Sequence, residues 1–164
     1  MSFIHSRFVL SLSLVALVSA ASAFADPKVG DSATLDGTLV GPGLNAKVVT
    51  SQKITAYNAN TGVYTIAQSQ TVAGQTDSRE VQATADDMMT EDQAAAVVSM
   101  CESGQIGKKE KITVGAGAFD TCHAVGNDGT ELWIAAVPFG IVKLQTKVQA
   151  GTVSLGASGF TRGQ

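Results

Sequence analysis

The chain has 164 residues, 11 Lys and Arg against 14 Asp and Glu, two cysteines, one tryptophan and a net charge of −3. That length holds one compact domain once a leader is set aside. A mildly acidic balance without a basic cluster excludes the positive footprint that nucleic-acid binding requires.

Residues 1–7 carry a short positive region, residues 8–21 an apolar run, and Ala23-Phe24-Ala25 an A-x-A site before Asp26. This is the pattern of a secretory signal peptide over 1–25, followed by a single β-rich domain at 26–164. The run is shorter than the ~20 apolar residues of a membrane-crossing helix and no second run follows, so no transmembrane segment is expected after signal cleavage. No cysteine stands at the cleavage point to carry a lipid. A periplasmic or secreted product is expected, not a lipoprotein.

Residues 29–40 (VGDSATLDGTLV) read as a first strand broken at Gly37 and ended by Gly41-Pro42-Gly43, because proline offers no donor to a ladder. Residues 47–57 and 63–72 are β-branched and small polar runs on either side of Asn58-Ala59-Asn60-Thr61-Gly62, which is a hairpin pattern. Gln68, Ser69, Gln70 and Thr71 turn much of that hairpin toward water. Residues 78–85 read as a further strand.

The β pattern stops at about 90–103. Thr90 is a good N-cap, Gln93 stands three residues on as in a capping box, and Glu91 and Asp92 complement the helix dipole. Ala94, Val97, Val98 and Cys101 then recur on one helical face before Gly104. In an exported chain two cysteines read as one disulfide, Cys101 to Cys122. A metal site is the weaker reading, since two sulfurs and one nearby histidine fall short of a four-ligand set.

Lys108-Lys109-Glu110-Lys111 is the one basic run, read as a solvated edge strand where lysine discourages edge-to-edge pairing. Strands follow near 109–114, 119–125, 130–137, 141–148 and 152–158, separated by Gly-containing turns. A turn at Ala150-Gly151 would set Val148 beside Val153, Thr146 beside Leu155 and Leu144 beside Ala157. Around Asn127-Asp128 an even loop would place Phe119, Thr121, His123, Val125, Leu132 and Ile134 on one face, with Cys122, Ala124, Trp133, Ala135 and Val137 on the other. With Cys122 tied to Cys101, the helix would then lie across the Trp133 face. An odd loop or a bulge would reverse this arrangement.

The run I-T-V-x-A-G-x-F-x-T-C, then W-x-A and V-P-x-G-x-V-K, is carried here by Ile112, Thr113, Val114, Ala116, Gly117, Phe119, Thr121 and Cys122, then Trp133, Ala135, Val137, Pro138, Gly140, Val142 and Lys143. It resembles a group of exported bacterial domains related in shape to the LolA/LolB lipoprotein carriers, with Val29-Gly30-Asp31 like that group's opening. Gly115 departs from the proline often found before the A-G turn. The resemblance implies a mainly β (α+β) fold: a curved antiparallel sheet or open half-barrel of about 8–9 strands packed on one helix.

Chemical sites are few. Cys122 and His123 are strand neighbours and so point to opposite faces, out of reach of each other as nucleophile and base. His123 with Asp120 or the acidic residues is the remaining enzymatic combination. Asp86-Asp87 and Glu91-Asp92 could offer oxygens to calcium, but their spacing matches no calcium loop and first-turn acids suit a helix dipole. Gly115-Ala116-Gly117 leads into a strand and not a helix, so it is a hairpin turn and not a phosphate cradle. No Gly-x-Ser-x-Gly elbow or HExxH helix occurs, and the strands lack the aromatic girdles of an outer-membrane barrel. No cofactor or metal is therefore expected, and no enzyme. The expectation is a non-catalytic domain that binds a hydrophobic, lipid-like ligand or a cell-envelope protein, with Phe119, Val125, Leu132, Trp133, Ile134 and Phe139 as lining candidates. The alternative is a structural or self-associating protein without a ligand cavity.

Overall fold

The computed structural model describes residues 27–104 and 106–164. The signal peptide read at 1–25 lies outside the described residues. Nine strands form one curved, unclosed antiparallel sheet, accompanied by one α-helix among the described residues. The strands are β1 (Ser32–Gly41), β2 (Leu44–Asn58), β3 (Val63–Val72), β4 (Gln75–Ala83), β5 (Lys108–Val114), β6 (Gly117–Val125), β7 (Glu131–Ile134), β8 (Ile141–Val148) and β9 (Gly151–Thr161). Helix α1 (Glu91–Glu102) stands between β4 and β5, after a 3-10 turn at Ala85–Asp87.

The sheet order is β4-β3-β2-β1-β9-β8-β7-β6-β5. Every neighbour is also a neighbour in sequence except β1 and β9, which pair antiparallel. One non-local pairing therefore joins two local meanders. Gly37 does not break β1; the strand runs through it, opposite Leu155 and Val48. A Cβ at Gly37 would collide with the Ser154 carbonyl of β9, so glycine is what lets the two strands approach. Gly37→Ala should lower stability by about 1–3 kcal/mol through this clash. An unchanged urea midpoint would contradict it.

Three buried clusters fill the fold. Leu35, Val48 and Leu155 lie at the β1–β9 junction, and Ile54, Tyr64 and Ile66 lie under Val81, Met88 and Phe139. Trp133, Ala135, Val137, Val142 and Ala157 form the third, with Ile112, Val114, Phe119 and Phe160 packed against it. Phe119 and Phe160 meet edge to face, 5.9 Å between centroids. The β5–β6 turn closes over this cluster, the Ala116 amide donating to the Ala157 carbonyl at 2.8 Å.

Helix α1 begins as its sequence dictates. The Gln93 amide donates to the Thr90 hydroxyl at 3.1 Å, and the Thr90 amide to the Gln93 side chain at 2.9 Å. Of the apolar face, Ala94 and Cys101 are buried while Val97 and Val98 are half-buried. Cys101 and Cys122 are at disulfide distance, Cα atoms 5.6 Å apart, and this fixes the last helical turn to β6. At the other end the Arg162 guanidinium grips Glu91 with two donors at 2.7 and 2.8 Å, which raises the Arg162 pKa further.

Two register expectations are corrected. The β8–β9 turn falls at Gln149-Ala150, so Val148 faces Gly151 and Thr146 faces Val153. The loop from 126 to 130 has odd length, so β6 and β7 pair Cys122 with Ile134 and His123 with Trp133. Asp128 sets that length by accepting from the Thr130 amide and hydroxyl, both at 2.9 Å, bonds that hold its carboxyl below the usual range. Consequently Cys122, Ala124, Leu132 and Ile134 share one face, and Phe119, Thr121, His123, Val125 and Trp133 the other. The helix lies on the Cys122 face and not on the Trp133 face.

Candidate functional site

The sheet's curvature opens a cleft of about 350 Å³ between the polar strands β2–β4 and the apolar residues of β1, β8 and β9. Strand alternation builds its walls. Leu144 and Leu155 face each other directly across β8 and β9, Leu35 of β1 lies diagonally beside Leu155 on the same face, and with Ile141 they form an apolar floor. On the other side Gln52, Gln68 and Arg79 stand in register across β2, β3 and β4. Arg79 Nε donates to Gln68 Oε1 at 3.1 Å, and Gln68 Nε2 to Gln52 Oε1 at 3.5 Å, a polar ladder along that wall. Gln70 and Asp77 continue it toward the rim.

Phe139 closes one end. It sits at φ +61°, a region a bulky side chain enters at a cost of about 1–3 kcal/mol. The following Gly140, at φ +71°, packs against Met89 and Ala94, and a side chain there would be strained and would have to push Met89 aside. The 138–140 corner is thus held by the helix start, and it directs Phe139 into the cleft and against the Ile54 cluster.

Of the six lining candidates, Phe139 alone reaches this cleft. Trp133 is buried in the opposite cluster against Phe119, Ile134 is buried on the helix side, Leu132 is half-buried and Val125 is 64% exposed at a strand end. The odd loop is the physical reason: it divides these residues between two faces. Leu35, Gln52, Gln68, Gln70, Arg79, Leu144 and Leu155 were missed as lining residues. The alternation of Gln68 with Gln70, opposite Gln52 in the next strand, is the sequence signal that could have marked a polar wall.

On the other face, residues 36, 143 and 154 alternate with the floor leucines and line a second, more open depression of about 340 Å³ between β5 and β9. Near it Trp133 stacks on His123, centroids 4.2 Å apart and planes 6° apart, while Lys143 Nζ lies 3.9 Å from the indole centroid. The indole N–H donates to the Glu110 carboxylate. His123 Nε2 is 2.9 Å from Glu131, and Nδ1 is 3.5 Å from Glu110. Asp120 projects to the opposite face from His123, so that pairing is corrected. Neighbouring Thr121 is fully buried and donates its hydroxyl to the Glu110 carbonyl at 2.8 Å, and Cys122 is committed to Cys101. The imidazole therefore faces carboxylates and an indole, an arrangement that ties β5, β6 and β7 together.

The acidic residues before the helix are likewise engaged. Asp87 accepts from the Thr84 hydroxyl and amide at 2.7 and 2.9 Å, which lowers its pKa, and Glu91 is held by Arg162. No cluster of His, Cys, Asp and Glu suited to a metal occurs among the described residues. No helix among the described residues is long and apolar enough to cross a membrane. No protein-family model, curated protein or solved structure matches the chain.

Proposed function

We propose that this is a non-catalytic, extracytoplasmic binding module whose cleft takes a hydrophobic, lipid-like ligand. The carrying observation is the cleft itself, about 350 Å³ with an apolar floor and a wall of amides and a guanidinium. Small-molecule sites commonly combine such a mostly apolar concavity with a few placed polar groups. The two walls suit an amphipathic molecule, its chain on Leu35, Leu144 and Leu155 and its polar end toward Gln68 and Arg79. Likeness to the LolA/LolB half-barrels belongs to the same proposal, supported by the unclosed antiparallel sheet with one helix. The cysteine pair fits an oxidising compartment.

Gln70 is exposed on the polar wall, so Gln70→Trp would fill the cleft without touching a buried cluster. Native mass spectrometry of protein purified from its own compartment should show an added hydrophobic mass. The emptied protein should take up N-phenyl-1-naphthylamine, and Gln70→Trp should abolish that uptake. A homogeneous unliganded mass with no dye uptake, or equal uptake by Gln70→Trp, would overturn the proposal.

A further inference from the structure

The two edges of the sheet differ in chemistry. At one edge β5 carries Lys108, Lys109 and Lys111, charges that discourage strand addition, and its turn folds back onto β9. At the other, β4 reads QTDSREVQA: nine residues with no lysine and no proline. It pairs with β3 without a bulge, and residues 75–80 are all exposed. It is an unbulged edge strand with one side of its backbone ladder unpaired by any strand of this chain's sheet.

We propose that β4 pairs antiparallel with β4 of a second copy of this chain, on a two-fold axis through Ser78 perpendicular to the sheet. Charge complementarity selects both occupant and register. About that axis Asp77 faces the second copy's Arg79 and Arg79 faces the second copy's Asp77, while Thr76 faces Glu80. Sliding by two residues sets Arg79 against Arg79 in one direction and Asp77 against Asp77 in the other, and like charges directly opposite are unfavourable. A slip by one residue would set the cleft face against the outer face. The interface is isologous and closes at two copies, so the sheet continues through both protomers without forming a fibre. Because the axis preserves faces, the two clefts open on the same side, and the rims formed by Asp77 and Arg79 abut. The dimer does not depend on what the cleft binds.

Sedimentation velocity of ligand-free protein over a dilution series tests this. Wild type should dimerise, and Asp77→Arg or Arg79→Asp alone should weaken dimerisation about tenfold or more, since each replaces two attractive pairs with two repulsive ones. The double variant D77R/R79D should restore it. A wild type monomeric at every concentration, a dimer indifferent to either single reversal, or single variants that the double fails to rescue would each overturn the inference. Dye uptake by wild type, measured above and below the concentration at which it dissociates, separates this outcome from the fate of the cleft proposal.

Discussion

Trp133→Ala is expected to lower the unfolding free energy by about 3–5 kcal/mol, the range for emptying a large aromatic site. The indole is 5% exposed and packs in the cluster with Ala135, Val137, Val142 and Ala157. It also lies between β6 and β8, with His123 stacked on it from one strand and Lys143 reaching its ring from the other. Truncation would leave a cavity and remove the hydrogen bond from the indole N–H to the Glu110 carboxylate. Urea denaturation followed by far-ultraviolet circular dichroism is the appropriate measurement, because the variant lacks the chain's one tryptophan. A loss under about 1 kcal/mol would mean that the cluster collapses to fill the void, contrary to close packing around it.

Removing the Cys101–Cys122 bridge is expected to cost roughly 3 kcal/mol, the loop-closure value for a separation of this size. The effect should concentrate in one element. Helix α1 buries only Ala94 and Cys101 among its residues, so apolar packing alone holds it weakly against β5–β7. Further ties include the exposed Glu91–Arg162 and Glu102–Lys109 pairs, and exposed ion pairs contribute about 0–1 kcal/mol each. C101A/C122A should therefore shift the urea midpoint downward and raise amide exchange in α1 before it rises in β1, β2 or β9. Equal midpoints with and without reductant would show that the bridge adds nothing beyond packing.

Much of the architecture was legible because it is local. The strands announce themselves as β-branched runs between glycine turns, α1 as a capping box followed by a 3.6-residue period, and the edge position of β5 as a lysine run. What escaped depends on contacts distant in sequence or on one turn. The β1–β9 pairing joins the two ends of the domain, and nothing in either strand names the other. The faces of β6 and β7 depend on a loop whose odd length is set by Asp128 and Gly129, and one residue more or less exchanges every side chain between core and outside.

The same reversal explains the site. Apolar residues of β6 and β7 were natural lining candidates, yet they are used to pack the Trp133 cluster and the helix. The cleft instead lies over Gln52, Gln68 and Gln70, in strands whose polarity suggested simple exposure to water. Their partner wall of Leu35, Leu144 and Leu155 comes from strands that only the β1–β9 pairing brings alongside. Phe139 borders the cleft because of its left-handed backbone, which depends on the fold of the 138–140 corner and not on any local sequence pattern.

The most direct test of the cleft as the binding site is an amide and methyl chemical-shift titration with a single-chain amphiphile such as decanoate. Shifts should be confined to Leu35, Gln52, Gln68, Gln70, Phe139, Leu144 and Leu155, with the Trp133 indole signal unmoved. Saturable binding that shifts Trp133 and His123 and leaves the three leucines unchanged, or no binding at all, would contradict it.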